Sequence, residues 1–244
     1  MIEVRGLHKQ FGSVVAVDDV SFTAADGVVT GLLGPNGAGK TTTLRMLSTL
    51  IAPDRGEALV DGMSVAADPR EARRRIGVLP DARGLYPRLT AREHVEYAGA
   101  LHGIPRGQLA QRIDELIQLL DMRDIEHRRT DGFSHGERVK VALARALVHQ
   151  PRNVMLDEPT NGLDVMSTRA VRELVRRLRE QGKCVLFSSH VMQEVSALCD
   201  RVVIIARGRV LADGAPDEIR ARKGSGSLEE AFVSIIGSDQ GLDR

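Results

Sequence analysis

The sequence predicts an α/β domain with a mostly parallel central sheet, and three observations support this fold class. Short apolar runs such as VVTGLLG and CVLFSS alternate with helical patterns along most of the 244 residues. A glycine-rich loop, GPNGAGKT, follows one apolar run and opens a helix. A helix-rich block interrupts the alternation at about 88–150. We therefore expect an α/β core with an N-terminal antiparallel β subdomain and an inserted α-helical subdomain.

The N-terminal elements follow from local patterns. MIEVRGLHKQF and VVAVDDVSFTA alternate apolar and polar residues, which predicts two strands. VVTGLLG predicts a strand that is buried on both faces, and KTTTLRMLSTL predicts the helix after it. ALVDG and IGVLP predict two further short strands, separated by the helix DPREARRRI.

The helical block begins at TAREHVEYAGALHG, where Thr90 and Glu93 have the spacing of a capping box. QLAQRIDELIQLLDM and GERVKVALARALVHQ continue it as helices. The first of these helices has one apolar stripe, formed by Leu109, Ile113, Leu116, Ile117 and Leu120.

After the block, α/β alternation resumes. NVMLD and CVLFSS predict strands, and STRAVRELVRRLREQ and VMQEVSALC predict helices. RVVIIARGRVLADG predicts a hairpin that turns at Arg207–Gly208. We assign 1–222 to one large domain and 223–244 to a C-terminal joint (KGSGS), a short helix (SLEEAFVSIIG) that docks on the body, and a frayed tail.

Composition and charge exclude several classes of function. A hydrophobic fraction of 42% and a charged fraction of 27% indicate a globular protein with a sizeable core. The net charge of +1 disfavours nucleic acid as the main partner. Cys184 and Cys199 have neither a zinc nor a disulfide spacing, so we expect buried thiols. With no signal peptide and no apolar run of about 18 residues, we expect a cytoplasmic chain whose membrane role needs another protein.

The loop at Gly34–Thr41 matches the phosphate-binding pattern G-x-x-x-x-G-K-[ST] in the required place, between a strand and a helix. Its glycines let backbone N–H groups turn towards phosphate oxygens. We expect Lys40 to reach the β- and γ-phosphates, Thr41 to bind Mg²⁺ and Thr42 to contact an inner phosphate. The predicted nucleotide-binding residues here are Gly34, Pro35, Asn36, Gly37, Ala38, Gly39, Lys40, Thr41 and Thr42.

Two further strand ends carry candidate catalytic groups. The apolar strand in VMLDEP ends at Asp157, which we expect to hold Mg²⁺, and at Glu158, which we expect to polarise the attacking water. His190 ends the strand LFSSH, where α/β ligand sites form, and would orient Glu158 and the water. The base-reading motif [NT]-K-x-D of GTPases does not occur, and no lid or acceptor site of a small-molecule kinase is identifiable.

With these motifs in order, the sequence resembles the ATPase subunit of ATP-binding cassette (ABC) transporters over nearly its whole length. GPNGAGKT corresponds to Walker A, FSHGE to the signature, VMLDE to Walker B, NGLD (Asn161–Asp164) to the D-loop and His190 to the H-loop. GLYPRLTARE and SLEEAF resemble the exporter branch that works with separate ABC-2-type permeases, which includes sodium and drug efflux. IGVLPDARGLYPRLTARE and FSHGERVKVALARALVHQP are most similar to the sodium-extrusion type.

The resemblance implies that two cassettes pair head to tail around two Mg·ATP. Ser134 and Gly136 of one chain, with the D-loop residue Asp164, would then face the nucleotide of the other. Because Lys40, Asp157, Glu158 and His190 are all present, we expect a homodimer with two working sites.

The sequence also departs from the family pattern. In the signature, usually L-S-G-G-Q, Phe133, His135 and Glu137 replace the leucine, the first glycine and the glutamine. We expect His135 to face away from the nucleotide and Glu137 to weaken closure modestly unless a cation such as Arg138 screens its charge. Asp81 occupies the position of the family's glutamine and would still offer oxygen to Mg²⁺.

The aromatic residue that stacks on adenine would be Phe11, which could instead be an ordinary core residue. Two other functions stay open at this point: a soluble ABC ATPase that acts on ribosomes or DNA, and a nucleotide-binding regulator without turnover. The first usually has two cassettes or long insertions, and an intact Glu158 argues against the second.

Overall fold

A computed structural model describes residues 1–81 and 84–240, apart from the side chains of 223 and 238–240. Its strands are β1 (Ile2–Phe11), β2 (Val14–Ala24), β3 (Val29–Leu33), β4 (Arg55–Val60), β5 (Met63–Ser64), β6 (Ile76–Leu79), β7 (Asn153–Asp157), β8 (Cys184–Ser189), β9 (Arg201–Ala206) and β10 (Arg209–Gly214). Its helices are α1 (Lys40–Leu47), α2 (Pro69–Arg75), α3 (Ala91–Leu101), α4 (Arg106–Leu119), α5 (His135–Leu147), α6 (Val165–Glu180), α7 (Met192–Leu198), α8 (Pro216–Lys223) and α9 (Leu228–Gln240).

The larger sheet is six-stranded, with the order β10-β9-β3-β8-β7-β6. Its strands run parallel except for β10, which pairs antiparallel with β9. Every residue of β3, β7 and β8 is buried, as expected for parallel strands covered on both faces. These three strands are neighbours, so their carboxyl ends lie side by side at one edge of the sheet, where ligands bind in this fold class.

The smaller sheet is antiparallel and four-stranded, with the order β2-β1-β4-β5. One hydrophobic core lies between this sheet, α1 and the larger sheet, and includes Leu7, Leu44 and Met155. A second core joins the other face of the larger sheet to the remaining helices. The α/β fold with an N-terminal antiparallel subdomain is therefore confirmed.

The helical insert comprises α3, α4 and α5. The hydroxyl of Thr90 accepts a hydrogen bond from the Glu93 backbone N–H, and the Glu93 carboxylate accepts one from the Thr90 N–H, which confirms the predicted capping box. The apolar stripe of α4 is buried throughout, as predicted. A Cβ at Gly77 of β6 would lie 2.3 Å from the Ala146 carbonyl oxygen, so only glycine allows α5 to pack this closely on the sheet.

The C-terminal elements also follow the sequence. The β9–β10 hairpin turns at Arg207 and Gly208, both with positive φ. Leu228, Ala231 and Ile235 of α9 are buried in the second core, so the predicted docking of this helix is confirmed. The helix extends to Gln240, beyond the predicted end at Gly237, because nothing in 238–240 breaks it. The rest of the predicted frayed tail lies outside the described residues.

Both cysteines are buried and unpaired, as expected. Burial raises the pKa of Cys184 to about 12 and also raises the pKa of Cys199, so neither thiol is reactive at neutral pH. Within 1–81 and 84–240, no helix combines the length and apolarity needed to cross a membrane.

Candidate active site

The phosphate-binding loop joins β3 to α1 and is held by close backbone packing. A Cβ at Gly34 would lie 2.2 Å from the Ile205 carbonyl oxygen, and one at Gly39 (φ 103°) 2.5 Å from the Ala16 carbonyl oxygen. Only glycine is compatible with these two positions. Between them, Pro35, Asn36 and Gly37 are exposed, while Ala38 is buried. The loop is therefore an exposed arch with two fixed ends.

The hairpin turn of the larger sheet contacts this loop. The Gly208 N–H donates to the Ala38 carbonyl at 2.9 Å, and the Gly208 carbonyl accepts from the Asp18 N–H at 2.7 Å. One residue, Gly208, thus connects the loop, the β9–β10 turn and β2 of the smaller sheet.

Lys40 is the first residue of α1, and its side chain is 6% exposed. Its ammonium donates to the carbonyl oxygens of Gly34 at 2.7 Å and Pro35 at 3.2 Å, and lies 3.4 Å from Glu158 Oε1. The positive charge is thus placed inside the arch, where a phosphate would meet it.

The predicted magnesium ligands Thr41 and Asp157 are in contact, with 3.2 Å between Thr41 Oγ1 and Asp157 Oδ1. Ser188 of β8 donates to the same carboxylate oxygen at 2.6 Å. Burial raises the pKa of Asp157, the hydrogen bonds from Ser188 and Thr41 oppose this, and the charges of Asp81 and Glu158 add to the rise. A bound cation would relieve this unfavourable burial of negative charge.

This donor set fits Mg²⁺, which prefers hard oxygen ligands and takes few of them from protein. Asp81 is exposed and close enough to act on the pKa of Asp157, so its charge belongs to the same edge of the sheet. Among the described residues, no group of three or more His, Cys, Asp or Glu side chains could hold a metal alone. The phosphates of a nucleotide would have to complete the coordination.

Glu158 follows β7 and has a left-handed backbone conformation, with φ 46°. For a residue other than glycine this costs about 1–3 kcal/mol, and it persists only where the surroundings fix it. Its backbone N–H donates to Ser188 Oγ at 3.0 Å. Its Oε2 lies 2.9 Å from His190 Nδ1, and because a carboxylate can only accept, this nitrogen carries the proton. The carboxylate is 13% exposed and held between an imidazole and the Lys40 ammonium, where it could orient a water.

The signature segment lies at the start of α5. Ser134 is the N-cap: its hydroxyl accepts from the Glu137 N–H at 3.2 Å, and the Glu137 carboxylate accepts from the Ser134 N–H at 2.7 Å. Glu137 therefore completes a capping box, a role that glutamine can also fill. Ser134 and His135 are exposed.

A cation does lie against Glu137, but it is Arg128 and not Arg138, the residue named as an example from the sequence. Arg138 Nε donates to the Phe133 carbonyl at 3.1 Å, whereas Arg128 lies 3.0 Å from the Glu137 carboxylate. Successive residues of a helix point in different directions, so adjacency in sequence did not bring the charges together. Burial alone would raise the pKa of Glu137, but the hydrogen bonds from Ser134 and the Arg128 charge lower it overall.

The signature and the D-loop pack against each other within one chain. His135 Nε2 lies 2.9 Å from the Asn161 carbonyl oxygen, so this side chain is turned towards the D-loop. A Cβ at Gly136 would lie 2.7 Å from Ser167 Oγ, an intramolecular reason for glycine that the sequence did not reveal. Asp164 is the N-cap of α6 and accepts from the Ser167 N–H and hydroxyl, which lowers its pKa.

Phe11, at the end of β1, is 50% exposed, so it is not a core residue. Val14 and Val15 beside it are also exposed, and the Lys9 ammonium lies 5.6 Å from the Phe11 ring centroid. An open aromatic face of this kind can stack on a planar ring.

The structure brings together Lys40, Thr41, Asp157, Glu158 and His190 at neighbouring strand ends. Within 1–81 and 84–240, no hydrogen bond or ion pair joins Ser134 or Gly136 to the loop 34–42. The predictions from sequence missed Ser188, whose hydroxyl bonds the Asp157 carboxylate and the Glu158 backbone N–H. The signal was the serine pair before His190, because Ser188 is aligned with Asp157 in the parallel register. These features define a P-loop ATPase.

Comparison with known proteins identifies the family. The model of the ABC transporter family matches residues 17–161. The ABC transporter ATP-binding protein NatA of Bacillus subtilis (strain 168) is 46% identical over 224 residues, which are 91% of this chain and 91% of that protein. The linearmycin resistance ATP-binding protein LnrL of the same organism is 34% identical over 236 residues, 97% of this chain and 76% of that protein.

Solved structures agree. The dimeric post-hydrolysis structure of the ATP-binding cassette MJ0796, bound to ADP and Pi, superimposes with a TM-score of 0.80 at 26% identity and covers 88% of this chain and 98% of that chain. This chain belongs to the ABC transporter family and is the ATP-binding, ATP-hydrolysing component of such a transporter.

Proposed function

We propose that this chain powers an exporter by hydrolysing two ATP at the interface of a homodimer and driving a separate ABC-2-type permease. The observation that carries the proposal is the contact chain of Lys40, Glu158 and His190 beside Asp157, which lacks none of the expected catalytic groups. The alternative, a soluble ABC ATPase that acts on ribosomes or DNA, has no comparable support.

We call the loop 34–42 and the strand-end residues Asp157, Glu158 and His190 the phosphate side of the protein. Each of its residues has a defined task in this proposal. The arch Gly34–Gly39 and the N-terminus of α1 bind phosphate oxygens, with Lys40 supplying positive charge and Thr42 an inner contact. Thr41, Asp157 and Asp81 would hold Mg²⁺, which when bound neutralises charge on the phosphate oxygens. Phe11 would stack on the adenine, and its exposure supports this role.

Glu158 would act as the general base for the attacking water. The Lys40 ammonium lies 3.4 Å from one oxygen of the carboxylate, and His190 fixes its orientation through Nδ1. The other imidazole nitrogen of His190 would then contact a phosphate or the attacking water.

The second half of each nucleotide site would come from the partner cassette. Ser134 is exposed at the positive end of α5 and would bind the partner's γ-phosphate, with Gly136 and Asp164 close by. Val165 and Met166, next to Asp164, are 83% and 70% exposed. Exposed apolar side chains beside an exposed anion site support an interface between two copies of the chain.

The permease would contact the helical insert and the Asp81 loop. A groove of about 590 Å³ lies between α2, β6 and the insert, lined by apolar groups such as Val78, Ala98 and Leu101. Its charged lining is basic (Arg70, Arg73, Arg74 and Arg145), and no acidic residue is among the described residues that line it. His102 and His149 also line it, and burial lowers the pKa of both. A short permease helix with an apolar face and acidic side chains would complement this surface.

The substrate class would be sodium or a drug. The signature and Asp81 segments support the sodium-extrusion type, and the name of LnrL associates that relative with drug resistance. In either case the chain would sit at the inner face of the cell membrane through its permease.

The test is to co-express the chain with the polytopic membrane protein of an adjacent reading frame and measure phosphate release. We expect co-purification and stimulated hydrolysis. Arg74→Glu, in the groove, should abolish both, whereas Arg176→Glu on α6 should not, although each arginine pairs with a glutamate three residues earlier. Stimulation by ribosomes or DNA instead would establish the alternative, and absent turnover would indicate a regulatory module.

A further inference from the structure

The conformation of Glu158 has to be fixed on both sides, because its left-handed φ of 46° is unfavourable for a residue with a side chain. On the upstream side, Ser188 Oγ accepts from the Glu158 N–H and also binds Asp157. On the downstream side the chain turns at once, with the Asn161 N–H donating to the Glu158 carbonyl at 3.2 Å. A local turn of this kind does not by itself hold the loop against the rest of the protein.

The downstream attachment is made by Thr160, two residues after Glu158. Its hydroxyl donates to the Glu194 carboxylate, and both side chains are buried, with 9% of Thr160 and 6% of Glu194 exposed. Glu194 is in the first turn of α7, four residues after His190. The contact therefore joins the same two loops that the Glu158–His190 contact joins in the site, but from the interior side.

The charge of Glu194 is only loosely compensated. The nearest cation is Arg172 of α6, with 3.8 Å between its terminal nitrogen and Glu194 Oε1. Among the described residues, Arg172 Nε is buried without a hydrogen-bond partner. A carboxylate held this way contributes little to stability, since burying a charge is costly unless it is fully paired. Neighbouring Val195 and Leu198 of α7 are apolar core residues, so packing alone does not require an acid here.

We propose that Glu194 is a positioning residue for ATP hydrolysis. Through Thr160 it holds the segment after Glu158 and the segment after His190 together, which keeps the general base in its left-handed conformation and in register with the imidazole. Arg172 carries the same link to α6, whose N-cap is Asp164 of the D-loop. The inference rests on the roles proposed above for Glu158 and His190.

The test compares Thr160→Val, which removes the hydroxyl at nearly constant volume, with Thr160→Ser, which keeps it. We expect Thr160→Val to lower kcat about tenfold, the size of one lost hydrogen bond, while Kd for Mg·ATP stays within about twofold. Thr160→Ser should restore most of kcat. Glu194→Gln keeps the volume and an acceptor for Thr160, and should cause a smaller loss of kcat. This variant provides a second test if Thr160→Val folds poorly.

The matched control is Thr30→Val. Thr30 is fully buried in β3 and its hydroxyl has no hydrogen-bond partner in the described part of the chain, so kcat should not change. In a His190→Ala background, Thr160→Val should have little further effect on kcat, because both changes act on one unit. Full additivity with His190→Ala, or unchanged kcat in Thr160→Val, would overturn the inference. If His190→Ala itself left kcat unchanged, the proposed function would fail instead, so the two failures are distinguishable.

Discussion

The phosphate side and the signature side of this protein contrast in how their residues are held. On the phosphate side, Lys40, Glu158 and His190 contact one another, and Thr41 contacts Asp157. On the signature side, the side chains of Ser134 and Asp164 bond within their own helix starts in the described part of the chain, and both residues are exposed. The comparison shows that one chain contains the complete set of catalytic groups. The surface that would close over the nucleotide has to come from a second copy of the chain.

The strongest test of the phosphate side is Glu158→Gln. Removing the general base should lower kcat by about 100-fold or more, while Mg·ATP still binds and the dimer is trapped in the nucleotide-bound state. Phosphate release and size-exclusion chromatography with ATP measure the two effects. Glu173→Gln, on the exposed face of α6, is the matched control. Unchanged turnover in Glu158→Gln would remove Glu158 from the mechanism.

Ser134→Ala tests the signature side and should have a smaller effect. Loss of the N-cap should cost about 1 kcal/mol of stability, and loss of the phosphate contact should weaken ATP-driven dimerisation by about tenfold. ATP affinity of the monomer should not change. Analytical ultracentrifugation and nucleotide titration separate these quantities.

Thr90→Ala provides the control for Ser134→Ala, because it removes the equivalent capping box of α3. It should cost similar stability without affecting dimerisation. If Ser134→Ala reduced monomer affinity and dimerisation equally, the contrast between the two sides would be false.

Glu137→Gln sharpens the contrast further. Glutamine keeps the capping box, while the negative charge near the partner's phosphates disappears and the Arg128 charge is released. We expect dimerisation with ATP to strengthen by roughly two- to fivefold, the scale of one charge at a helix N-terminus. Weaker dimerisation would show that the Glu137–Arg128 pair supports closure.

A pH change should act on the groove through His149. His149 stacks on His102 with ring centroids 3.7 Å apart, and burial lowers its pKa to about 4. The unfolded chain binds this proton near pH 6.5, so the contribution to stability is intact above that pH and is lost as pH falls towards 4. The free energy of unfolding should fall by roughly 1–2 kcal/mol more in the wild type than in His149→Gln between pH 7 and pH 5. Equal falls in urea titrations of both proteins would contradict this.

The sequence predicted what depends on local pattern. Most of the strands, the capping-box spacing of Thr90 and Glu93, the hairpin turn at Arg207–Gly208 and the phosphate loop all follow from residues within a few positions of one another. The capping box of Ser134 and Glu137 has the same spacing but was not predicted. The glycine of the signature was predicted for its approach to nucleotide, but its contact with Ser167 depends on how two helix starts pack.

What the sequence could not predict depends on register or side-chain direction. Ser188 reaches Asp157 only because β7 and β8 align those residues. Arg128 rather than Arg138 meets Glu137 because neighbours on a helix diverge. Glu194 meets Thr160 across 34 positions of sequence, and no local pattern marks that pair.

The two backbone hydrogen bonds of Gly208, to Ala38 and Asp18, have a consequence for dynamics. The smaller sheet cannot open locally without releasing the phosphate loop, so the two should behave as one cooperative unit in native-state hydrogen exchange. A loop anchored in this way has little conformational freedom left to lose when a ligand arrives. Local opening of the smaller sheet would then change the affinity for nucleotide, although the residues that open do not touch the phosphates.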